Sequence, residues 1–510
     1  MKSIREYKNG KNAPSLNQIL CQSLRYSQCC VLSVAFMSGF GIPWNYDENM
    51  VREWLNPNDI KKDELKVHEN MTVLRAVYKK GNPHYCNAYN GNIDDYQNYL
   101  WDDNSFKKTI TPSSQAYLIM DEIMLAKYFH NCAKGCYRES KNINGKIVDS
   151  HLLINSAKIQ GKFASNYLRN EDGLFVSKKD ISENPYGEPV LEDQEEQPDI
   201  SDQALMLKAF SMLSYACKNP DYPMFEDEGF SLEFKKYADE LYVVFKDSSD
   251  EIFESKTKDI CSVISASIEY CRLCESKPDA ANFITSLALE LDSRIDMSGN
   301  VLRFPYENKL SSNSTCFMVL KTLMESYRFT GIEKFLNTAK ALYRKLNLLW
   351  NSNACLYALD SDDKYRYTAR DVSFVIAGLN SLRLFADGDM AGDAKSKLIY
   401  YFNNAVNNSK ISQSRFAPPS VSDFETLFNN KRFKDGKVDS PFSDSDIPDH
   451  LDIEIAPVFA KKFTYKTKKN NFSINSSSFY SEYALCLAFE MLQMNYPEIE
   501  CFYSKDGAEF

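Results

Sequence analysis

The sequence predicts an all-α fold, a ring of inner and outer helices taken in pairs, with short β-hairpins between pairs and long capping loops. Three observations predict it. Stretches of helical period that are apolar almost all round alternate with stretches apolar on one stripe only, the mark of buried and half-exposed helices. The alternation returns every 50 to 60 residues, roughly, close to the periods of repeat architectures. A short extended segment with turn-forming residues separates several of the pairs.

The clearest unit starts at Asn313. Residues 313–329 are apolar nearly all round, and Gly331 stops that helix. Residues 332–350 follow with Phe335, Leu336, Ala339, Leu342, Tyr343, Leu346 and Leu349 on one stripe and Lys334, Lys340, Arg344 and Lys345 off it. The segment Ala354-Cys-Leu-Tyr-Ala is extended and ends at the turn formers from Asp360 to Asp363, after which a second apolar helix covers 368–385. The same order is expected elsewhere. Residues 111–129, with Pro112 in the first turn, pair with 151–168, and Glu171-Asp-Gly-Leu-Phe-Val is their hairpin. Residues 201–218 pair with 231–245, and 258–274 with 278–291, followed by the extended 298–304. An outer helix is expected at 393–407, and a final apolar helix at 478–492 closes the ring against the first one, 15–36.

A chain of 510 residues with 44% hydrophobic, 25% charged and 13% aromatic residues is neither disordered, collagen-like nor a coiled coil. At about 150 residues per domain it would divide into three, but a ring of helix pairs encloses far more around one core. One domain over 1–510 is therefore expected, with loop-rich insertions at 37–110 and 409–477, the second carrying Pro418, Pro419, Pro441 and Pro448.

The net charge of −10 argues against DNA or RNA as partner, and Lys461-Lys462 and Lys466 to Lys469 are short runs expected in solvated loops. The polar amino terminus and the short apolar stretch from Cys29 to Met37 suit neither a signal peptide nor a membrane span, so a cytoplasmic chain without membrane contact is expected. The 14 cysteines are sparse, and Cys217, Cys316 and Cys486 fall in apolar helices as reduced core residues. Cys271 and Cys274, and His130, Cys132 and Cys136 in a turn, lack the paired spacing of a zinc site, and neither a metal nor another cofactor is expected.

Helix pairs of this kind joined by the hairpins Asp172-Gly-Leu-Phe, Gly299-Asn-Val-Leu and Ala354-Cys-Leu-Tyr resemble the (α/α)6 toroids, a superfamily that includes six-hairpin glycosidases, unsaturated-uronyl hydrolases, N-acylglucosamine 2-epimerases and the helical domain of YyaL-type proteins. The resemblance is one of layout, covers most of 111–408 and the last helix, and rests on no family motif. The epimerases of that superfamily use histidines on inner helices; the five here, His68, His84, His130, His151 and His450, are all expected outside inner-helix bodies. Nothing in residues 1–110 resembles the thioredoxin-like domain of the YyaL type.

The resemblance implies that the first turns of the inner helices line a central funnel. Ser114-Gln115, Asp202-Gln203, Ser314-Thr315, Arg370-Asp371 and Ser481-Glu482 are then equivalent pairs, all polar in apolar helices. Helix capping explains such residues, since Ser, Thr and Asp accept bonds from free first-turn N–H groups. The sharper expectation is that Asp202, Asp371 and Glu482 converge as carboxylates for general acid–base cleavage of a glycosidic bond. In that scheme Asp371, beside Arg370, is the ionised base and Glu482, between Tyr480 and Tyr483, the acid with a raised pKa. Arg370, Gln203, Gln115, Tyr367, Tyr480 and Trp44 would bind the substrate, with Trp101 and Tyr306 as further loop aromatics, while Asp102-Asp103 is expected to be a turn. Two functions follow. One is a metal-independent carbohydrate-active hydrolase acting on a carbohydrate or other small molecule; the other is a catalytically silent toroid that binds a partner the sequence does not name. Isomerase, lyase and lipid chemistries remain open beside them, because fold alone does not choose a reaction.

Overall fold

The computed structural model describes residues 14–44, 72–85, 100–133, 143–194, 197–274, 278–359, 363–413 and 455–495. Several of its helices begin where a cap or a proline sets them. Ser15 and Gln18 form a reciprocal capping box at the start of α1 (Leu16–Met37). Pro112 opens α2 (Pro112–Ala133), which is followed by α3 (Ile143–Tyr167). Asp199 caps α4 (Ile200–Lys218) and Asp227 caps α5 (Glu228–Asp247). A short α6 (Ser249–Glu254) leads into α7 (Thr257–Leu273), paired with α8 (Pro278–Ser293). Ser312 caps α9 (Asn313–Thr330), and Gly331 ends it in the left-handed region, at φ +71°, where a side chain would be strained. Then come α10 (Glu333–Asn347), α11 (Ala369–Phe385), α12 (Gly388–Phe402), which runs on as a π-helix over Asn403–Asn408, and α13 (Ser481–Gln493).

Six of these close a ring in the order α2, α4, α7, α9, α11, α13, each packed on the next and α13 on α2. Each inner helix touches two inner neighbours, an outer helix and the axis, which is why its sequence is apolar on every side. The outer layer is α3, α5, α8, α10 and α12, with α1 completing it against α13. The first helix is thus the outer partner of the last, while closure of the inner ring falls to the contact of α13 with α2. Approach within the ring is tight: a Cβ on Gly378 of α11 would lie 2.9 Å from the Phe317 carbonyl oxygen of α9.

The hairpins fall where the sequence places them. Arg169 bridges to Phe175, Ile295 to Val301, and strands β7 (Trp350–Asn351) and β8 (Leu356–Tyr357) pair, each between an outer helix and the next inner one. The described parts of 37–110 and 409–477 include short strands. Strands β1 (Gly41–Pro43) and β2 (Leu74–Val77) pair, β3 (Lys80–Gly81) pairs with β12 (Phe479–Tyr480), and β4 (Thr109–Ile110) joins β5 (Lys178–Asp180) and β6 (Leu191–Asp193). A three-stranded antiparallel sheet orders β11 (Asn471–Ile474), β10 (Lys462–Lys466) and β9 (Lys364–Thr368), with Phe463 opposite Tyr367. Of the basic residues expected in loops, Lys462 and Lys466 are therefore the ends of a strand, and Lys468 and Lys469 lie in the short turn that joins it to β11. Strands β4, β9 and β12 run directly into α2, α11 and α13, which places the small sheets at the end of the ring where the inner helices start.

Among the described residues no helix is long and apolar enough to cross a membrane. The described cysteines are all thiols, with Cys217, Cys316 and Cys486 buried in their helices. His130 lies in the last turn of α2, inside an inner helix rather than in a turn, because α2 continues four residues past the expected Phe129. Its ring packs against Tyr222 and Phe225, away from the axis.

Candidate functional site

The inner helices start at one end of the ring, and their first turns touch. Ser481 Oγ donates to Ser114 Oγ at 3.0 Å, joining α13 to α2. Ser201 Oγ donates to Asp259 Oδ1 at 2.6 Å, joining α4 to α7. Arg370 Nη1 donates to Glu482 Oε1 at 2.9 Å, joining α11 to α13. Burial of the Arg370 guanidinium opposes its charge, but Glu482 and the nearby Tyr117, Cys486 and Tyr483 outweigh that and push its pKa up. Asp259, buried in the first turn of α7, completes the set of first-turn polar residues and has the same sequence signature as the others, an acid at the start of an apolar helix.

Of the three expected carboxylates, Asp371 and Glu482 stand in the first turns of neighbouring inner helices, α11 and α13. Asp371 and Glu482 both act on the Tyr483 phenol: burial raises its pKa, Glu482 raises it further, Arg370 opposes, and Asp371 and Tyr480 add to the rise. Asp202 stands in the first turn of α4, separated from α13 by α2 in the ring, and the cap of its helix is made by Asp199. Asp371 is half of a capping box. Its Oδ2 accepts from Thr368 N at 2.8 Å and from Thr368 Oγ1 at 2.7 Å, while Thr368 Oγ1 accepts from Asp371 N at 3.1 Å. Oδ1 takes no part in that cap. Glu482 has a guanidinium for a neighbour, so the apolar surround expected for a proton-donating acid is not what the structure provides.

Several expected substrate-binding side chains are instead engaged within the fold. Gln203 Oε1 accepts from Phe175 N at 2.9 Å and its Nε2 donates to Phe175 O at 2.7 Å, so the amide braces the first hairpin and is 3% exposed. Gln115, fully buried, accepts from Val77 N at 3.2 Å and donates to Arg75 O and Gln160 Oε1 at 3.3 Å, which ties β2 to α2. Tyr367 is on β9, not in a loop. Its ring is buried against Phe463, and its hydroxyl accepts from Tyr357 N at 3.0 Å and donates to Tyr357 O. Trp101 is likewise buried, packed on Phe40 and Phe479, whereas Tyr306 is exposed. Trp44 is half-buried, with its backbone N donating to Val73 O at 2.7 Å. Tyr480 stays at the mouth: Lys461 Nζ lies 3.7 Å from its ring centroid and the Tyr483 ring 5.4 Å away. Asp102 caps the turn Asp103–Ser105, as the sequence predicts.

Below the first turns a cavity of about 60 Å³ lies on the axis, with Tyr117, Met318, Phe374 and Phe489 in its wall. Arg370 sits over the Phe374 ring at 5.4 Å, which connects this aromatic belt to the mouth. A second cavity of about 90 Å³ continues towards the far ends of the helices and shares Lys208, Lys321, Glu325 and Glu490 with the first. These axial charges are the cavity-lining residues that a reading of helix starts misses. Lys321 Nζ is 2.6 Å from Glu490 Oε1 and 3.8 Å from Glu325 Oε1, and Arg272 Nη1 is 2.9 Å from Glu269 Oε2. Burial would raise the Glu269 pKa, but Arg272, then Lys208, Lys127 and Lys321, outweigh it and hold the carboxylate below its ordinary value. The signal in the sequence is a charge in the middle of an apolar run, as in Ala204-Leu-Met-Leu-Lys208-Ala-Phe.

A different pair of acids is buried in the wall of the ring. Glu122 Oε1 accepts from Ser156 Oγ and Gln160 Nε2, both at 2.9 Å, while Asp121 is fully buried with neither carboxyl oxygen hydrogen-bonded. Burial, then Glu122 and Glu490, push the Asp121 pKa well up, and burial does the same to Glu122 against the pull of its two bonds. For metals, no group of three His, Cys, Asp or Glu side chains among the described residues has a ligating arrangement. Cys136 lies outside the described residues. Burial pushes the Cys271 and Cys274 thiols up to about 12 and about 11, the reverse of what a metal-binding or redox-active pair requires.

No protein-family model and no curated protein sequence matches the chain. Among solved structures it is similar to cellobiose 2-epimerase from Bacillus thermoamylovorans B4167, at 9% identity and a TM-score of 0.50, over 88% of this chain and 100% of that one. It is also similar to a D-mannose isomerase, at 7% identity and a TM-score of 0.49 over 87% and 96% of the two chains. A glycoside hydrolase family 76 mannosidase from Bacteroides thetaiotaomicron VPI-5482 matches at 9% identity and a TM-score of 0.47, over 95% and 99%. At 9% identity the likeness to the first of these speaks to fold, and with the closed ring of six inner and six outer helices it makes the chain an (α/α)6 toroid.

Proposed function

We propose that the chain is a carbohydrate-active hydrolase of the toroid type, with its reaction centred on the adjoining first turns of α11 and α13. The observation that carries this reading is the grouping of Arg370, Asp371, Glu482 and Tyr480 about Tyr483, above an aromatic-walled cavity on the ring axis. Hydrolysis of a glycosidic bond needs a carboxyl group that gives a proton and a carboxylate that activates water or stabilises positive charge, and no metal. Glu482 is bonded to the Arg370 guanidinium, and Asp371 is anchored by Thr368 through Oδ2 and presents Oδ1. Asp202 is outside this pair, and Tyr117, Phe374 and Phe489 offer apolar faces to a sugar ring below it.

The test is turnover on a panel of oligosaccharides by the unmutated chain, by Glu482→Gln and by Asp371→Asn. Each variant should lose about 10²- to 10⁴-fold in rate while its circular dichroism is unchanged. A double variant that keeps the full rate, or an unmutated chain that cleaves no member of the panel, overturns the reading.

A silent, ligand-binding toroid is the second reading, and it too has an observation in its favour. The polar first turns serve the fold: Asp371 caps α11, Gln203 holds a hairpin and Gln115 holds β2. Saturable oligosaccharide binding without turnover would support it.

A further inference from the structure

The larger cavity, in the C-terminal half of the ring, contains a charge arrangement that the mouth chemistry does not use. Lys127, Lys208, Arg272 and Lys321 line it together with Glu269, Glu325 and Glu490, so four cations against three carboxylates leave one positive charge in excess. The acids are assigned by distance. Lys321 takes Glu490 and Glu325, and Arg272 takes Glu269. Lys208 remains. Its Nζ reaches Ser265 Oγ at 3.4 Å and lies 5.1 Å from the centre of the Phe489 ring, and among the described residues no carboxylate stands within ion-pair distance of it. The residue is 8% exposed. An ammonium taken out of water without an anion beside it is costly, and a fold that keeps one there leaves a place for a negative charge.

The chamber has room for that charge. About 90 Å³ corresponds to roughly six to nine water-sized spheres at about 10–15 Å³ each, enough for a tetrahedral or planar oxyanion and its first waters. Its other polar groups accept as well as donate: Glu269 and Glu490, with Asn380 and Gln493, suit a ligand that has O–H groups of its own.

We infer that this chamber binds a small, singly charged oxyanion bearing hydroxyl groups, of the phosphate or hydroxycarboxylate type, with Lys208 taking its charge. Its oxygens lie towards Lys208 and Lys127, and its hydroxyls donate to Glu269 and Glu490 on the adjacent helices. Burial already pushes the Lys208 ammonium below its ordinary pKa against the opposing pull of Glu269, and a bound anion restores the charged form. The chamber adjoins the cavity below the Arg370–Glu482 mouth and shares Lys208 with it, but the inference does not depend on the hydrolase reading.

The test is calorimetric titration of the full chain with inorganic phosphate and, separately, with gluconate, in low-chloride buffer. One of the two should bind saturably at one site per chain, and which one does so identifies the source of the oxyanion. Lys208→Met should weaken that binding at least tenfold, with Lys208→Arg weakening it less. Because a variant at a buried position can fail to fold, the unmutated chain supplies an independent readout: the binding anion should raise its melting temperature above that in sodium chloride of equal ionic strength. Absence of saturable binding for both probes, or unchanged affinity in folded Lys208→Met, overturns the proposal. Equal melting temperatures in the probe and in chloride do so as well.

Discussion

At the end of the ring where the inner helices begin, several polar side chains bond to backbone or to neighbours close in the chain, as Asp371 does with Thr368 and Gln203 with Phe175, and others join adjoining first turns, as Ser481 does with Ser114. At the centre, Lys321, midway along α9, bonds Glu490 of another helix. The physical reason for the difference is the helix itself. First-turn N–H groups lack partners and draw side-chain oxygens to them, whereas mid-helix backbone is already bonded and a charge there must find a side chain. A polar residue at an inner-helix start is therefore weak evidence of function, and a charge in the middle of one is stronger. The Arg370–Glu482 pair is the first-turn contact that crosses between helices by charge, which is why it bears the weight of the hydrolase reading.

That contrast can be broken by substitution. The largest effect is expected at the centre: Glu490→Leu leaves Lys321 with Glu325 at 3.8 Å and should destabilise the chain by about 3–5 kcal/mol in urea unfolding, while adding Lys321→Met should recover most of the loss. At the mouth, Gln203→Leu removes both bonds to Phe175 and leaves its buried backbone N–H and C=O without that partner, at a cost of about 1–3 kcal/mol in the same assay. The wall acids should respond with the opposite sign. The folded-state pKa of Asp121 is raised above the unfolded value of about 3.9, so its contribution is fully present below about pH 4 and is lost as pH rises. Asp121→Asn should accordingly stabilise the chain by about 1–2 kcal/mol at neutral pH and by almost nothing at pH 4, which melting temperatures across that interval would check. The smallest effect is expected from Thr368→Ala, which removes one side of the capping box and should lower stability by about 1 kcal/mol. A loss as large as that of Glu490→Leu would erase the distinction between the mouth and the centre.

Much of the ring is legible in the sequence because its elements are long and their burial differs. The all-round apolar pattern marks α9 and α11 as inner, and the single stripe from Phe335 to Leu346 marks α10 as outer. Turn chemistry places the hairpins, as at Gly173 and Gly299, both with positive φ. What escapes is short or angular. Strands β9 and β10 alternate exposed and buried residues over only five positions each, too few to stand out, so Tyr365 and Tyr367 pass for loop residues until the pairing with β10 turns both inward. The axial charges escape for another reason. A helix buried on every side has no apolar stripe from which to measure angle, and the sequence alone does not say that Lys208, Lys321 and Glu490 share a direction. The proposed site is legible in part: the sequence singles out Arg370, Asp371 and Glu482, while the placing of Asp202 on a helix that adjoins neither of theirs depends on which inner helices are neighbours.

The pairing of α1 with α13 has a consequence for the order of assembly. Ser27 Oγ donates to the Ala488 carbonyl across 461 residues of chain, so the last side of the hexagon is laid down only after nearly everything else has been made. Until then α2 and α11 each present an apolar flank with no neighbour, and an open five-sided ring is prone to associate with another of its kind. Synthesis from the amino end thus leaves α1 waiting for its partner, and the helix that seals the barrel also sets the moment at which the nascent chain stops being sticky.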